Sequence, residues 1–118
     1  MNSIEQLLAA AKHNPETVGF ADVMAVIDQA YHYTPCAFRN GTVTSEAGQN
    51  EGSCKILAFA KLHQLGEPET LTLFGDYYRQ DVLAHPDGND HANIRQFMKT
   101  GWNGVSFDSS VLQPKTTA

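Results

Sequence analysis

Ile4, Leu7, Leu8 and Ala11 recur at i, i+3, i+4 and i+7 behind Ser3, which is the apolar stripe of a helix preceded by a good capping residue. A short amphipathic helix is predicted there, ended by Asn14-Pro15. Phe20, Val23, Met24, Ile27 and Tyr31 repeat the spacing, with Asp22 and Asp28 on the opposite face, and predict a second helix. Pro35 disfavours helix in the residue before it, so Tyr33-Thr34-Pro35 stops this helix. Residues 36–39 then read as a short extended piece closed by the turn dipeptide Asn40-Gly41. Residues 42–53 are polar, contain glycine and show no period, the mark of a long loop of the kind that carries function.

Ser53 is placed to cap a third helix running to Leu65 and ended by Gly66. Its members Ile56, Leu57, Phe59, Ala60, Leu62 and Leu65 leave little polar surface, so it should be the buried central helix. Pro68 suits a first helical turn, and a fourth helix is predicted from Glu67, turning Leu71, Phe74, Tyr78 and Val82 inward until His85-Pro86-Asp87-Gly88 breaks it. A fifth covers residues 90–99, with Ile94, Phe97 and Met98 inward and Gly101 as its stop. Val105-Ser106-Phe107 alternates like a strand and can pair with the extended piece at Phe38. The fold expected is mostly α, a small α+β domain of about five helices around a buried central one, with at most one short two-stranded β element. One domain over residues 1–112 and a flexible tail over 113–118 complete the expectation.

Composition narrows the functional classes. The chain has 118 residues, 42% of them hydrophobic and 18% charged, enough for one self-sufficient core. Its formal charge of −5 is spread over both halves, leaving no basic face for nucleic acid. Tyr77, Tyr78 and Trp102 have the ring faces for base stacking but lack a positive groove in so acidic a chain, and at helical spacing one tyrosine faces the core and the other the surface, so they read as packing residues. The longest wholly apolar runs, residues 7–11 and 56–60, are far too short to span a bilayer, and an N-terminus with Glu5 and no Lys or Arg before its apolar residues is not a Sec signal. Two cysteines, Cys36 and Cys54, outside any CxxC pair point to a reducing compartment.

Four strings in order carry a resemblance. They are Tyr33-Thr34-Pro35 with Ala37-Phe38-Arg39-Asn40-Gly41; Ala47-Gly48-Gln49-Asn50-Glu51-Gly52-Ser53-Cys54-Lys55; Phe74-Gly75-Asp76-Tyr77-Tyr78-Arg79-Gln80-Asp81-Val82-Leu83; and Asp90-His91-Ala92-Asn93-Ile94-Arg95-Gln96-Phe97-Met98 with Gly101-Trp102. Together they closely resemble the HopJ type III effector family, over almost the whole chain to about Leu112. The resemblance implies a small proteobacterial protein, kin to a secreted plant-pathogen effector. It supplies no catalytic residues to carry over. The expected setting is the bacterial cytoplasm, with export through a type III system as the family name implies, and a monomer whose partner is a small molecule or a protein, a host-cell target if it is secreted.

Three chemistries are open to these residues. Cys54, at a helix start beside Lys55, has features that lower a thiol pKa, and Gln49-Asn50-Glu51-Gly52-Ser53-Cys54 is partly similar to the nucleophile segment of papain-like enzymes. A cysteine-dependent hydrolase or transferase would need His91 as its base, since the strand-like segment at 105–107 has no histidine. The plainer reading is a small apolar packing residue whose burial leaves the thiol inert. Metal chemistry finds neither HExxH nor an EF-hand, so Asp76, Asp81, His85, Asp90 and His91 read as capping and ion pairing, and neither metal nor cofactor is expected. The leading expectation is binding: Arg79, Asp81, His91 and Arg95 converge on the loop at 48–53 and leave a cleft lined by Asn50 and Ser53. A non-secreted housekeeping protein is the remaining alternative.

Overall fold

The computed structural model describes residues 3–115. Helix α1 (Ile4–His13) begins as its spacing predicts, with Ser3 Oγ accepting from the Gln6 N–H at 3.1 Å. A 3₁₀ turn (Pro15–Thr17) leads to α2 (Phe20–Ala30), followed at once by strand β1 (Tyr31–Tyr33). Strands β2 (Phe38–Asn40) and β3 (Val43–Ser45) precede α3 (Glu51–Leu62) and α4 (Glu67–Thr72). After α5 (Ala92–Thr100) come β4 (Val105–Phe107) and β5 (Leu112–Pro114). The expected central helix is α3, which buries Cys54, Ile56, Leu57, Ala58, Phe59 and Ala60.

The strand content exceeds the expectation of one two-stranded element. β2 pairs with β4 as predicted, Phe38 opposite Phe107, but β3 lies on its other side with Phe38 opposite Ser45, making a three-stranded antiparallel sheet. A second sheet joins β1 to β5, Tyr31 opposite Pro114 and Tyr33 opposite Leu112. Each strand is three residues long, too short for a period of two to stand out. Tyr31 continues the apolar spacing of α2 yet is extended, at φ −133° and ψ 150°. Gln113 and Pro114, expected in the free tail, are strand residues at an edge, where proline is tolerated. The Lys115 N–H donates to Ala30 O at 3.0 Å, while residues 116–118 of the expected tail lie outside the described ones.

The predicted fourth helix is two pieces. Gly75, at φ +64°, separates α4 from a π-helical turn (Tyr77–Val82) whose 1–6 hydrogen bonding extends to Leu83 N–H on Tyr78 O, 3.0 Å. The apolar positions 71, 74, 78 and 82 suit a continuous helix, but the chain bends where Gly75 touches the backbone of Gly19 and Phe20. Leu62 and Met98, read as inward, are exposed.

His63, just past α3, sits with Nε2 2.7 Å from Tyr31 Oη and its ring 4.5 Å from that of Phe59. Burial holds its pKa below the ordinary 6.5. The unfolded chain therefore binds this proton more readily than the folded one. Its contribution is complete above pH 6.5 and is lost as pH falls below that value. Urea unfolding from pH 7 to 5 is expected to show a steeper loss of stability in the native sequence than in His63→Gln; equal slopes would contradict it.

Candidate functional site

Two helices start on one cleft. α3 begins at Glu51, three residues earlier than the expected Ser53 cap would place it, behind an Asn50 in the left-handed region (φ 51°, ψ 45°). α5 begins at Ala92 behind His91 in the same conformation (φ 52°, ψ 54°). Neither residue caps its helix with its side chain. Asn50 Nδ2 instead donates to Ser45 Oγ on β3 at 3.0 Å, and His91 Nε2 lies 3.0 Å from Asp81 Oδ2. The first intrahelical bonds are Cys54 N–H on Asn50 O and Arg95 N–H on His91 O. The N–H groups of residues 51–53 and 92–94 thus lie in first turns that have no acceptor within their own helix.

Between these turns lies a cleft of about 310 Å³. Phe20, Phe74 and Tyr77 supply its aromatic surface; Asn50, Ser53, His91 and Asn93 supply its polar groups. Phe20 and Tyr77 meet edge to face at 5.0 Å, and the Tyr77 and His91 rings are 5.1 Å apart. Gly52 makes room for this wall, since a Cβ there would come within 2.8 Å of Phe20 Cζ. The position of α5 is set from below. Fully buried Asn40 on β2 donates through Nδ2 to both Asn93 O (2.8 Å) and Asn93 Oδ1 (3.0 Å).

Of the residues singled out from sequence, Asn50, Ser53 and His91 line the cleft, and Asp81 reaches it through His91. Arg79 and Arg95 do not converge there. Arg79 donates to Pro15 O (3.0 Å) and Val18 O (2.6 Å) and pairs with Asp76 (3.3 Å), fastening the π-helical turn to the segment before α2. Arg95 binds Asp90 Oδ1 and Asp90 O, both at 2.6 Å, and His85 O at 2.8 Å, closing the connection before α5. Both guanidinium groups look like free site cations in sequence because carbonyl acceptors supplied by folding leave no trace there. Asn93 and the aromatic wall were missed. An asparagine beside Ile94 in a first turn is a weak signal, and the wall joins α2 to the region after α4.

Among the described residues, Asp81, Asp90 and His91 are the one trio whose ligand atoms lie within 4.8 Å of one another. The Arg95 guanidinium already occupies Asp90 and holds its carboxyl below the usual range. A metal ion would have to compete with that cation, so the trio reads as an ion-pair network around His91. Cys54 is buried, with Sγ 4.0 Å from Cys36 O. Burial, reinforced by the neighbouring Cys36 thiol and only partly offset by a hydrogen bond from Tyr33, pushes its pKa up to about 11. Its neighbours are Cys36, Tyr33 and Glu51, whereas His91 is engaged with Asp81, Asp90 and Tyr77. The nucleophile–base contact of a cysteine enzyme is not formed.

No helix among the described residues is long and apolar enough to cross a membrane. A search of curated proteins gives no match. A solved structure described as "Crystal structure of unknown function protein VPA0580" is 48% identical, with a TM-score of 0.94 over 98% of this chain and 97% of that one. Both small sheets and the π-helical turn therefore lie within a fold that a relative shares almost end to end. Residues 4–112, from the first residue of α1 to the first of β5, match the family described as "HopJ type III effector protein". The four strings that carry the resemblance fall inside this span and supply β2, both helix starts at the cleft and the π-helical turn, so the chain belongs to the HopJ family.

Proposed function

We propose that this protein works by binding a small molecule in the cleft between the first turns of α3 and α5, with Asn50, Ser53 and His91 among its contacts. One observation carries the reading: two helix starts open on the same cleft, and both N-cap side chains are spent elsewhere. A helix end left without a cap needs another partner. The volume, about 310 Å³, falls at the small end of ligand pockets, and an aromatic wall facing a few polar groups is their usual lining. Asp81 serves by holding His91 in place. As a relative of type III effectors, the protein would use the same cleft in the bacterium or, if exported, in a host cell.

A fragment screen followed by ¹⁵N–¹H NMR tests this. Hits are expected to shift the amides of Gly52, Ser53, Ala92, Asn93 and Ile94 together. Ala92 is an exposed position on the cleft, so Ala92→Trp should block binding without disturbing the core. Hits scattered over the surface, or unaffected by Ala92→Trp, would overturn the reading.

A further inference from the structure

We infer that the group held between the two helix starts is an oxyanion, a carboxylate or a phosphate, carried on a small apolar body; this rests on the binding reading above. Each helix start presents the equivalent of roughly half a positive charge together with unpaired N–H groups, and two such ends on one cleft reinforce each other. α3 and α5 are 12 and 9 residues long, enough for the effect to develop.

Asn93 gives an independent indication. It is only 5% exposed and lines the cleft. Its carboxamide orientation is fixed by Asn40: the same Nδ2 donates to the Asn93 backbone oxygen and to Oδ1, so Asn93 must turn its oxygen toward Asn40. The Nδ2 group of Asn93 then points the other way and donates to no described residue. Among the described residues Asn40 Oδ1 is the one buried side-chain polar atom without a partner, so the unbonded Asn93 Nδ2 is open to the cleft it lines and stands ready to donate to a group held there.

The nearby acids do not contradict an anion. Glu51, in the first turn of α3, is exposed and does not line the cleft. Asp81 is engaged with His91, and Asp90 with Arg95. What is left for a ligand is mainly donors: backbone N–H groups, Asn93 Nδ2 and the Ser53 hydroxyl. A group that only accepts suits them, and an ammonium would meet no free carboxylate on the cleft lining. The body of the ligand would lie against Phe20, Phe74 and Tyr77.

The test is an NMR titration with phenyl phosphate, benzoate and neutral benzyl alcohol, which share a ring and differ in the head group. Both oxyanion probes are expected to bind at least about tenfold more tightly than benzyl alcohol, with the largest shifts at the amides of residues 52–53 and 92–94. The tighter of the two identifies the head group as phosphate or carboxylate. Asn93→Asp keeps an acceptor for Asn40 while replacing the donor with a charge, and Ala92→Asp places a charge at an exposed position on the cleft. Each should weaken the oxyanion probes at least about tenfold more than it weakens benzyl alcohol, so the result does not depend on one variant folding. Benzyl alcohol binding as well as the acids would overturn the oxyanion assignment and leave the cleft as a binding site. The same holds if neither acid binds while other fragments still map to the cleft. If no fragment maps there, both readings fall.

Discussion

At pH 7 Cys54 is expected to react with a thiol reagent at least about 100-fold more slowly in the native protein than in the unfolded chain. Burial raises the thiol from an ordinary value of 9.0 to about 11, which alone removes about 99% of the thiolate. Lack of access slows the reaction further, because the side chain is almost wholly enclosed. The start of α3 and the adjacent Lys55 would by themselves favour thiolate, but Lys55 reaches away to Asp28 Oδ1 at 2.9 Å. Timed labelling with mass spectrometry of the peptides separates Cys54 from Cys36. Native labelling within a few-fold of the unfolded rate would show the sulfur to be accessible and return the cysteine-enzyme chemistry to consideration.

Replacing Gly75 by alanine should cost about 2–4 kcal/mol, among the larger losses for a single methyl group. Two effects add. At φ +64° any L side chain is strained, by roughly 1–2 kcal/mol. The added Cβ would also stand 2.7 Å from the backbone nitrogen of Phe20, an atom that cannot rotate away as a side chain can. Because Phe20 forms part of the cleft wall, the displacement would reach the candidate site as well as the core. Gly48 provides the comparison: it too has positive φ, +88°, but a Cβ there meets nothing within 4 Å. Gly48→Ala should therefore cost about 1 kcal/mol, the conformational part alone. Urea unfolding of both variants decides the matter, and equal losses would mean that the contact between Gly75 and the Phe20 backbone is unimportant.

The cleft was only half visible in sequence, for a reason its residues make plain. Asn50, Ser53 and His91 drew attention because polar residues cluster in a loop and at a helix start, a local pattern. Arg79 and Arg95 drew it on the same grounds, yet their acceptors are carbonyls of residues 15, 18, 85 and 90, and no side-chain pattern encodes those. Asn93 is exceptional because of Asn40, 53 positions earlier in the chain. The unusual start of α5, with His91 in the left-handed region, owes its setting to the Asp81 carboxylate at the end of the preceding turn.

The sequence by itself determined the mostly helical class, the family, the extent of α1, the start of α2, the buried character of α3 and the β2–β4 pairing. Helical amphipathicity is written into residues three and four apart, and short motifs survive without their surroundings. Tertiary structure alone decided the second sheet, the bend at Gly75 and the joining of two helix starts on one cleft. A three-residue strand such as β5 is defined by its hydrogen bonds to β1, near the other end of the domain, and its sequence has too few positions to display a period. Gly75 is needed because the bend takes it to positive φ and the Gly19–Phe20 backbone packs against it. The chemistry of the cleft comes from donors left over after folding, and which donors are left over is known only when every other partnership in the molecule has been made.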